Sequence, residues 1–295
     1  MTSSGPSSSS RWHADRWWPL PLAVVSALVG SLALFIVVFL AAQAWPVLSH
    51  LGWADVLGDH AWYPLDGEFG MGGMLLATVL VSLGALLLAA PLGLGSAVFM
   101  QFVAPNSARR TLQWVLGLLA GTPSVVFGLW GLTVLVPWLA DQHPPGTSLL
   151  TAALVLALMI LPTVALTAAS ALQAVPRTLQ QASHALGLSL RRHVLSVALP
   201  AARAGIVSGL VLALARALGE TMAVLMVAGN VAQWPTSVLD PVRVLTANIA
   251  LEMAYATGTH RAALFASGVV LSAMVLALAL LAARSEHGER GARHA

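Results

Sequence analysis

Charged residues are spaced so widely along this chain that six apolar stretches are each long enough to cross a lipid bilayer as a helix. These stretches cover residues 20–42, 71–100, 112–139, 149–172, 206–231 and 262–283. A hydrocarbon core about 30 Å thick requires about 20 helical residues. Only 8% of the residues are charged, whereas an ordinary soluble domain has about 25%. The spacing therefore predicts an all-α polytopic membrane protein with six transmembrane helices.

The distribution of arginine predicts which side of the membrane each loop occupies, because positively charged loops stay in the cytoplasm. The chain has 14 basic residues, and all of them are arginine. If both termini are cytoplasmic, eleven arginines lie on the inner side and only Arg243 and Arg261 lie outside. The inverted orientation would place the larger set outside. We therefore predict a multi-pass protein whose N- and C-termini are cytoplasmic.

The absence of lysine and cysteine excludes several kinds of chemistry. An ATPase phosphate loop and a Schiff base both require lysine, while disulfides, thiolate nucleophiles and cysteine zinc sites require cysteine. The nine histidines show no helical pairing, and the arginines are not clustered as a nucleic-acid footprint requires. We therefore expect no catalytic residue, no cofactor, no metal site and no nucleic-acid partner.

The chain divides into four segments. Residues 1–16 are predicted to be a disordered cytoplasmic tail, because the first ten offer almost no apolar side chains. Residues 17–68 contain the first transmembrane helix, which is too long for a cleavable signal peptide, and an external loop. Residues 69–283 form the main transmembrane domain, and residues 284–295 form a second cytoplasmic tail.

A cytoplasmic loop at residues 173–203 has an unusual composition, because it is too polar to be embedded in lipid and too apolar to be a free linker. Residues 178–188 place small and apolar side chains on one face at helical spacing. This pattern predicts a short helix lying at the membrane surface. An ordinary amphipathic connector has the same pattern, so the pattern alone leaves both interpretations open.

The loop resembles the EAA motif of ABC importer permeases, which reads Glu-Ala-Ala, three residues, Gly, nine residues, Ile-x-Leu-Pro. The matching positions here are Gln181, Ala182, Ser183, Gly187, Val197, Leu199 and Pro200. Gln181 replaces the usual glutamate and removes its charge, while Ser183 replaces an alanine. The resemblance implies that this loop couples the chain to a separate ATPase subunit, which hydrolyses the ATP.

A second group of motifs is more specific. Residues 216–224 read Arg-Ala-Leu-Gly-Glu-Thr-Met-Ala-Val and are followed by Gly-Asn at 229–230; residues 121–129 and 159–163 agree as well. These motifs resemble the PstC family of phosphate-specific ABC importer permeases. The resemblance implies the type I ABC importer permease fold over residues 69–283 and a bacterial plasma (inner) membrane location. It also implies a PstA-like sister permease, two copies of a PstB-like ATPase and a PstS-like phosphate-binding protein.

Arg216 and Glu220 are the charged residues that fall deep within a predicted span, where a charge is expensive and should not face lipid. Their spacing predicts that they share one helical face. They form either a structural pair or a substrate pathway in which Glu220 positions Arg216. Arginine suits an oxyanion because its planar fork can donate two parallel hydrogen bonds. Thr221 and Asn230 could add donors, although Asn230 could instead end the helix.

The second, third and fourth spans contain helix-breaking residues, and the fourth has Pro162 followed by Thr163. Thr122 and Ser124 flank a proline in the third span, where hydroxyls can satisfy the backbone groups that proline leaves free. We predict a kinked helix there, with the kink serving either as local capping or as a flexing point of the pathway. Pro91, together with Gly93 and Gly95, predicts a bend or break in the second span.

The preferred interpretation is a non-enzymatic permease subunit that forms half of the pathway of an ATP-driven phosphate importer and contacts membrane lipid. A permease for another oxyanion, such as sulfate or molybdate, is the alternative within the same class. A secondary transporter or channel would require inverted repeats or a second intramembrane ionisable residue, and neither is seen. A scaffolding protein would leave the spacing of the cytoplasmic loop unexplained. Pairing with an identical or a different permease stays open.

Overall fold

The computed structural model describes residues 19–58 and 61–292. Five of its helices are long and apolar enough to cross a membrane, and a pair of helices bent by 94° makes a sixth span if the pair counts as one. These spans confirm the predicted all-α polytopic architecture. The predicted N-terminal tail, residues 1–16, lies outside the described residues.

Helices dominate the described part of the chain. Helices α1 to α12 are Pro19–Val56, Gly72–Val98, Asn106–Gly121, Ser124–Trp130, Val136–Ala140, Leu149–Gln173, Arg177–Ala185, Leu190–His193, Leu199–Leu218, Met222–Val227, Leu245–Glu252 and Gly258–Ala292. Strands β1 and β2, Trp62–Tyr63 and Glu68–Phe69, pair as an antiparallel hairpin. Wider π-helical turns follow α2, α4 and α8, at Phe99–Val103, Gly131–Leu135 and Val194–Ala198. Helix α12 thus continues beyond residue 283, where the last span was predicted to end.

Helix α6 is the centre of the bundle. Among the candidate spans it is the most buried, with 67% of its apolar segment inside the chain. Its buried side chains are mostly alanine, leucine and valine, and small side chains allow neighbouring helix backbones to approach closely. Helix α2 makes such an approach where Gly93 faces Val164. The packing of α2 on α6 therefore depends on the missing side chain at Gly93.

Pro91 does not divide α2 into two pieces, contrary to the expectation from the sequence. The helix is continuous over Gly72–Val98. Pro91 lies on the exposed side of α2, whereas Gly93 is buried against α6. Packing of the buried side keeps the helix continuous, and transmembrane helices tolerate a proline whose ring meets no neighbouring helix.

The prediction of one kinked helix over residues 112–139 is wrong. Helix α3 ends at Gly121, Thr122 and Pro123 are extended, and α4 begins at Ser124. The helical segments on the two sides of this break meet at 94°. A residue that precedes proline is disfavoured in the helical conformation, which explains why the helix ends instead of only bending.

The first half of α1 packs against no other part of the described chain. Every side chain from Leu20 to Phe39 is exposed, on all faces of the helix. Contact with α12 begins at Phe39, whose ring lies at the edge of Phe265 with the centroids 5.8 Å apart, and full burial begins at Ala44 and Val47. An apolar surface of this size is covered by lipid or by another subunit, in agreement with the expected contact with membrane lipid.

A charged cluster around Glu252 joins several elements. Glu252 ends α11 and is 7% exposed. Its Oε1 accepts a hydrogen bond from Nη1 of Arg243 at 2.6 Å, and its Oε2 accepts one from Nε1 of Trp62 at 2.8 Å. Nε2 of His260, in the first turn of α12, lies 2.8 Å from the same Oε2. One carboxylate therefore connects the hairpin, the loop before α11 and α12.

Arg243 extends this cluster to the loop that follows α10. Its Nε donates a hydrogen bond to the backbone oxygen of Asn230 at 2.9 Å, and its Nη1 donates one to Oδ1 of Asn248 at 3.0 Å. A backbone bridge between Gly229 and Val242 lies beside these contacts. Ion pairs buried in this way are retained only when further hydrogen bonds satisfy both partners. Arg243 thus fixes the loop at residues 228–244 to α11.

Asp240 organises the same loop from within. Its Oδ2 accepts hydrogen bonds from the hydroxyl of Thr236 at 2.8 Å and from the backbone nitrogens of Thr236 and Ser237 at 2.8 and 2.7 Å. These bonds, above all the one from the Thr236 hydroxyl, lower the pKa of Asp240 from its ordinary value. The Asp240 carboxylate is therefore ionised at neutral pH. Its contribution to the stability of the loop is lost only as the pH falls through that lowered pKa.

We expect Gly93→Ala to lower the melting temperature of the purified protein in detergent. An added Cβ would lie 2.7 Å from Cγ1 of Val164 and 3.2 Å from the backbone nitrogen of Ala165, and overpacking of this kind costs about 1–3 kcal/mol. Gly95→Ala is the matched control, because its added Cβ meets nothing within 4 Å and alanine should stabilise the helix by about 0.5–1 kcal/mol. Equal melting temperatures for the two variants would contradict this packing.

We expect Glu252→Ala to lower the free energy of unfolding by about 3 kcal/mol, because it leaves the Arg243 guanidinium without its carboxylate. Denaturant titration in detergent, followed by tryptophan fluorescence, measures the change. Glu68→Ala is the control, since Glu68 is exposed on β2 and should lose little. A similar loss in both variants would argue against a stabilising role for the cluster.

Candidate functional site

Arg216 and Glu220 lie at a break between two helices. Helix α9 ends at Leu218 and α10 begins at Met222, so the prediction of one helix over residues 206–231 is wrong. The prediction that Arg216 and Glu220 share one helical face is wrong for the same reason. Arg216 belongs to the last turn of α9, whereas Glu220 belongs to the connection between the helices.

Glu220 provides the hydrogen bonds that the break requires. Its Oε1 accepts a bond from the backbone nitrogen of Ala223 at 3.1 Å, which satisfies one of the donors that the start of a helix leaves free. Its backbone oxygen accepts a bond from Oγ1 of Thr246 at 2.8 Å. Glu220 therefore caps α10 with its side chain and is held by Thr246 through its main chain.

Arg216 has no comparable partner. Its side chain is exposed on the isolated chain, and among the described residues none accepts a hydrogen bond from its guanidinium or forms an ion pair with it. A positive charge in the last turn of a helix is favourable by only about 0.3–1 kcal/mol, which does not replace a partner within a membrane. The guanidinium is thus free to bind an anion.

A groove of about 440 Å³ adjoins this break. Gly219 and Thr246 line it together with Ser272 and Leu276 of α12. Sequence reasoning missed Thr246, because its contact with Glu220 joins residues that are 26 positions apart. A single threonine after a loop gives no sign of such a contact.

Thr221 and Asn230 both make contacts within the chain. Oγ1 of Thr221 lies 3.5 Å from the backbone oxygen of Gly219. Asn230 adopts a positive φ of 58° after α10, and its Nδ2 donates a hydrogen bond to the backbone oxygen of Leu225 at 2.8 Å. Because its amide donor is engaged there, the geometry favours the role in which Asn230 ends the helix.

Thr122 and Ser124 stand on the two sides of the break between α3 and α4. Oγ1 of Thr122 donates a hydrogen bond to the backbone oxygen of Leu118 at 2.9 Å, while Ser124 is the first residue of α4 and is half-buried. Helix α4 packs closely on α10, because a Cβ at Gly128 would lie 2.9 Å from Cα of Ala223. The short helices that follow the two breaks therefore contact each other.

The loop at residues 173–203 contains the predicted short helix, which is α7. Gln181 and Ala182 are exposed on it, whereas Ser183 is buried. The helix ends with Gly187 at a φ of +65°, a conformation that favours glycine. The backbone nitrogen of Gly187 bonds to the oxygen of His184, and that of Leu188 bonds to the oxygen of Ser183. These two bonds form a Schellman motif, which explains the glycine in the motif.

The end of the loop starts a membrane span. Leu199 is the first residue of α9 and is half-buried, and Pro200 is the second and is exposed. Pro200 stands inside a helix that is continuous over Leu190–Leu218, just after the π-helical turn Val194–Ala198. Transmembrane helices tolerate proline where a local π-helical adjustment or neighbouring groups satisfy the freed backbone groups. Between these ends the loop exposes apolar side chains, with Leu186 at 77% and Leu190 at 49% exposure. Such a surface on the isolated chain indicates a contact with another protein or with the membrane.

Residues 89–288 match the family described as the inner membrane component of binding-protein-dependent transport systems. The chain belongs to this family. The phosphate transport system permease protein PstC of Mesorhizobium japonicum is 34% identical to this permease over 92% of both chains. The probable ABC transporter permease protein YqgH of Bacillus subtilis is 39% identical over 75% of this permease and 73% of the relative.

Solved structures show the same fold. A chain of the MetNI methionine ABC transporter in an inward-facing conformation has a TM-score of 0.58, with 20% identity, and the match covers 72% of this permease and 93% of that chain. A chain of a bacterial transporter that imports alginate has a TM-score of 0.64, with 14% identity, over 95% and 98% of the two chains. These likenesses confirm the predicted type I ABC importer permease fold.

Family membership confirms several expectations from the sequence. The permease is a non-catalytic, multi-pass component of a bacterial inner membrane. It pairs with a sister permease and with an ATPase, as permeases of this family do. Its resemblance to PstC proteins, first seen in the motifs at residues 216–224, 121–129 and 159–163, extends over most of the chain.

Proposed function

We propose that this permease carries inorganic phosphate and that Arg216 lines the pathway. The observation that supports this proposal most directly is the exposed guanidinium in the last turn of α9, which has no partner among the described residues. The relatives named as phosphate transport permeases agree with an oxyanion substrate. Thr221, Thr122 and Ser124 stay candidates for the pathway because they flank the two helix breaks.

The chemistry of arginine suits this role. The guanidinium stays protonated when desolvated and can donate two parallel charge-assisted hydrogen bonds to phosphate. Glu220 is engaged in capping α10, and this supports the pathway interpretation of Arg216 over a purely structural pair. Glu220 and Thr246 then act indirectly, since they hold the break beside which Arg216 stands. A single cationic contact binds phosphate weakly enough to release it, as a transport pathway requires.

The proposed complex contains four kinds of subunit. A PstA-like sister permease completes the pathway, two copies of a PstB-like ATPase supply energy, and a PstS-like protein delivers phosphate from outside. The exposed surface of α7, with Gln181, Ala182 and Leu186, supports a cytoplasmic contact with the ATPase. In this proposal the segment that ends with Leu199 and Pro200 of the motif joins that contact to α9.

We also propose that both termini are cytoplasmic, with residues 69–283 as the transmembrane domain and residues 284–295 as an inner tail. The excess of arginine on the side of α7 supports this orientation. The loop at residues 173–203 itself contains four arginines and no acidic residue. A segment of this composition is retained on the cytoplasmic side.

We expect Arg216→Gln to abolish phosphate uptake without reducing the amount of complex in the membrane, because the pathway loses its cation. Uptake of labelled phosphate by membrane vesicles, compared with the amount of complex on an immunoblot, measures this. Arg216→Lys should be impaired, since an ammonium lacks the planar fork. Arg110→Gln is the control, because Arg110 is exposed on α3 and should leave uptake unchanged.

Two further results would separate the alternatives. Wild-type uptake in the double variant Arg216→Gln, Glu220→Gln would show that transport needs neither the Arg216 cation nor the Glu220 carboxylate, and it would reduce Arg216 to a structural residue. A large excess of sulfate or molybdate should leave phosphate uptake by the wild type unchanged. Strong competition by either anion would instead identify the permease as a carrier of that oxyanion.

Single cysteines should react from opposite sides of the membrane in a chain that has none of its own. We expect Gln142→Cys, in the exposed connection between α5 and α6, to react with an impermeant maleimide added outside. Ser107→Cys, exposed at the start of α3, should react only after the vesicles are opened. Reaction of both positions from outside would overturn the proposed orientation.

A further inference from the structure

The hydroxyl of Ser183 makes two contacts that the alanine of the EAA motif could not make. Ser183 is 3% exposed and is the buried residue of α7. Its Oγ lies 2.7 Å from the backbone oxygen of Gln180 and 2.7 Å from Nδ1 of His193. His193 is itself 3% exposed. The departure from the motif therefore coincides with a buried contact between α7 and α8.

The direction of these hydrogen bonds follows from which atoms carry a proton that can be donated. A backbone oxygen can only accept, so the single proton of the Ser183 hydroxyl goes to Gln180. The hydroxyl oxygen then accepts a hydrogen bond, and the donor is Nδ1–H of His193. The imidazole must carry a proton on Nδ1, whichever state its other nitrogen adopts. A side chain with an N–H donor is thus required at position 193.

His193 lies where three segments meet. It is the last residue of α8, and the π-helical turn Val194–Ala198 leads directly from it into α9. Its ring meets the edge of Phe102, with centroids 5.4 Å apart and planes at 75°. Phe102 belongs to the π-helical turn that ends α2. The ring of His184 on α7 stacks on His193 as well, with centroids 5.6 Å apart.

The Ser183–His193 bond is the direct polar connection between α7 and the spans. Among the described residues, no other side-chain hydrogen bond joins α7 to α8 or α9, and the bond from Gln180 to the Val175 oxygen stays local. Most of α7 is exposed on the isolated chain. Without the bond, α7 would keep its flanking backbone and the stacking of His184 on His193, but it would lose the hydrogen bond that ties its displacement to α9.

We propose that His193 is a positioning residue of energy coupling. Its Nδ1–H donates a hydrogen bond to Ser183 of α7, and this bond makes α7 move together with α9 and α2. The proposal rests on the proposed function in one respect, namely that α7 is the contact with the ATPase. Displacement of α7 by the ATPase is then transmitted to α9, which carries Arg216, and through Phe102 to α2. An alanine at position 183 could hold α7 against α8 only by packing, whereas Ser183 adds a hydrogen bond to His193.

The first experiment measures coupling in the complete complex. Phosphate uptake and ATP hydrolysis stimulated by the binding protein are recorded in the same vesicles, and their ratio is compared between variants. We expect His193→Leu to lower the ratio about fivefold, the effect of a hydrogen bond that contributes about 1 kcal/mol. His193→Asn retains an N–H donor and should restore most of the ratio. His143→Leu, at an exposed position after α5, is the matched control and should not change it.

A double-mutant cycle identifies the partner. Ser183→Ala inserts the residue of the motif, so it should fold, and it should lower the ratio as far as His193→Leu does. His193→Leu added to Ser183→Ala should then have little further effect, because one interaction cannot be removed twice. Independent, multiplying losses would overturn the proposed link, as would an unchanged ratio accompanied by a reduced amount of complex.

A second measurement does not depend on the substrate. Spin labels on Ala182→Cys in α7 and Ser196→Cys before α9, both exposed positions, report the distance between the two segments in the complex with and without ATP. We expect one narrow distance that ATP leaves unchanged in the wild type, and a broadened or ATP-dependent distance in His193→Leu. Unchanged narrow distances in His193→Leu would overturn the proposal. The distance could be narrow in the wild type and broadened in His193→Leu while the complex imports no phosphate. That result would contradict the proposed substrate and still support the link between α7 and α9.

Discussion

Backbone groups within a membrane must find partners inside the protein, and this constraint determines which side chains the two broken spans require. At the first break, the hydroxyl of Thr122 bonds back to the carbonyl of Leu118. At the second, the Glu220 carboxylate caps α10, and Thr246 satisfies the Glu220 carbonyl. The polar residues of these spans therefore serve the backbone first. Any substrate that passes beside these breaks meets polar side chains whose orientation is already fixed by their hydrogen bonds to the backbone.

The same constraint divides the charges of this permease into two kinds. The Glu252 carboxylate accepts hydrogen bonds from Arg243 and Trp62, and Nε2 of His260 lies 2.8 Å from it. Its charge is therefore compensated within the chain. Arg216 has no acceptor among the described residues and is exposed on the isolated chain. A compensated charge fixes structure, whereas an uncompensated one requires something from outside the chain. This difference separates the two roles better than position along the sequence does.

The sequence predicts what depends on composition and local spacing, and it fails where contacts are distant. The uncharged stretches predict the spans, and the spacing of small and apolar side chains over residues 178–188 predicts α7. Hydropathy does not distinguish a continuous span from a broken one, so the ends of α3 and α9 were missed. A bend or a break was expected at Pro91, and α2 is continuous through it because its buried side packs on α6. Thr246 contacts Glu220 and His193 contacts Phe102, and no local pattern reveals such contacts between distant residues.

The segment between α7 and α9 has a special backbone conformation at each end, and the two conformations together restrict how many residues it can contain. The left-handed Gly187 closes α7, and the turn Val194–Ala198 is widened so that the backbone nitrogen of Leu199 bonds to the oxygen of Val194. Each residue of a helix rotates the chain by about 100°. Deleting or inserting one residue in this segment would rotate α7 relative to α9 and separate Ser183 from His193. The number of residues between Gly187 and α9 is therefore as restricted as the identity of Gly187 itself, and a segment grafted from another permease has to preserve that number.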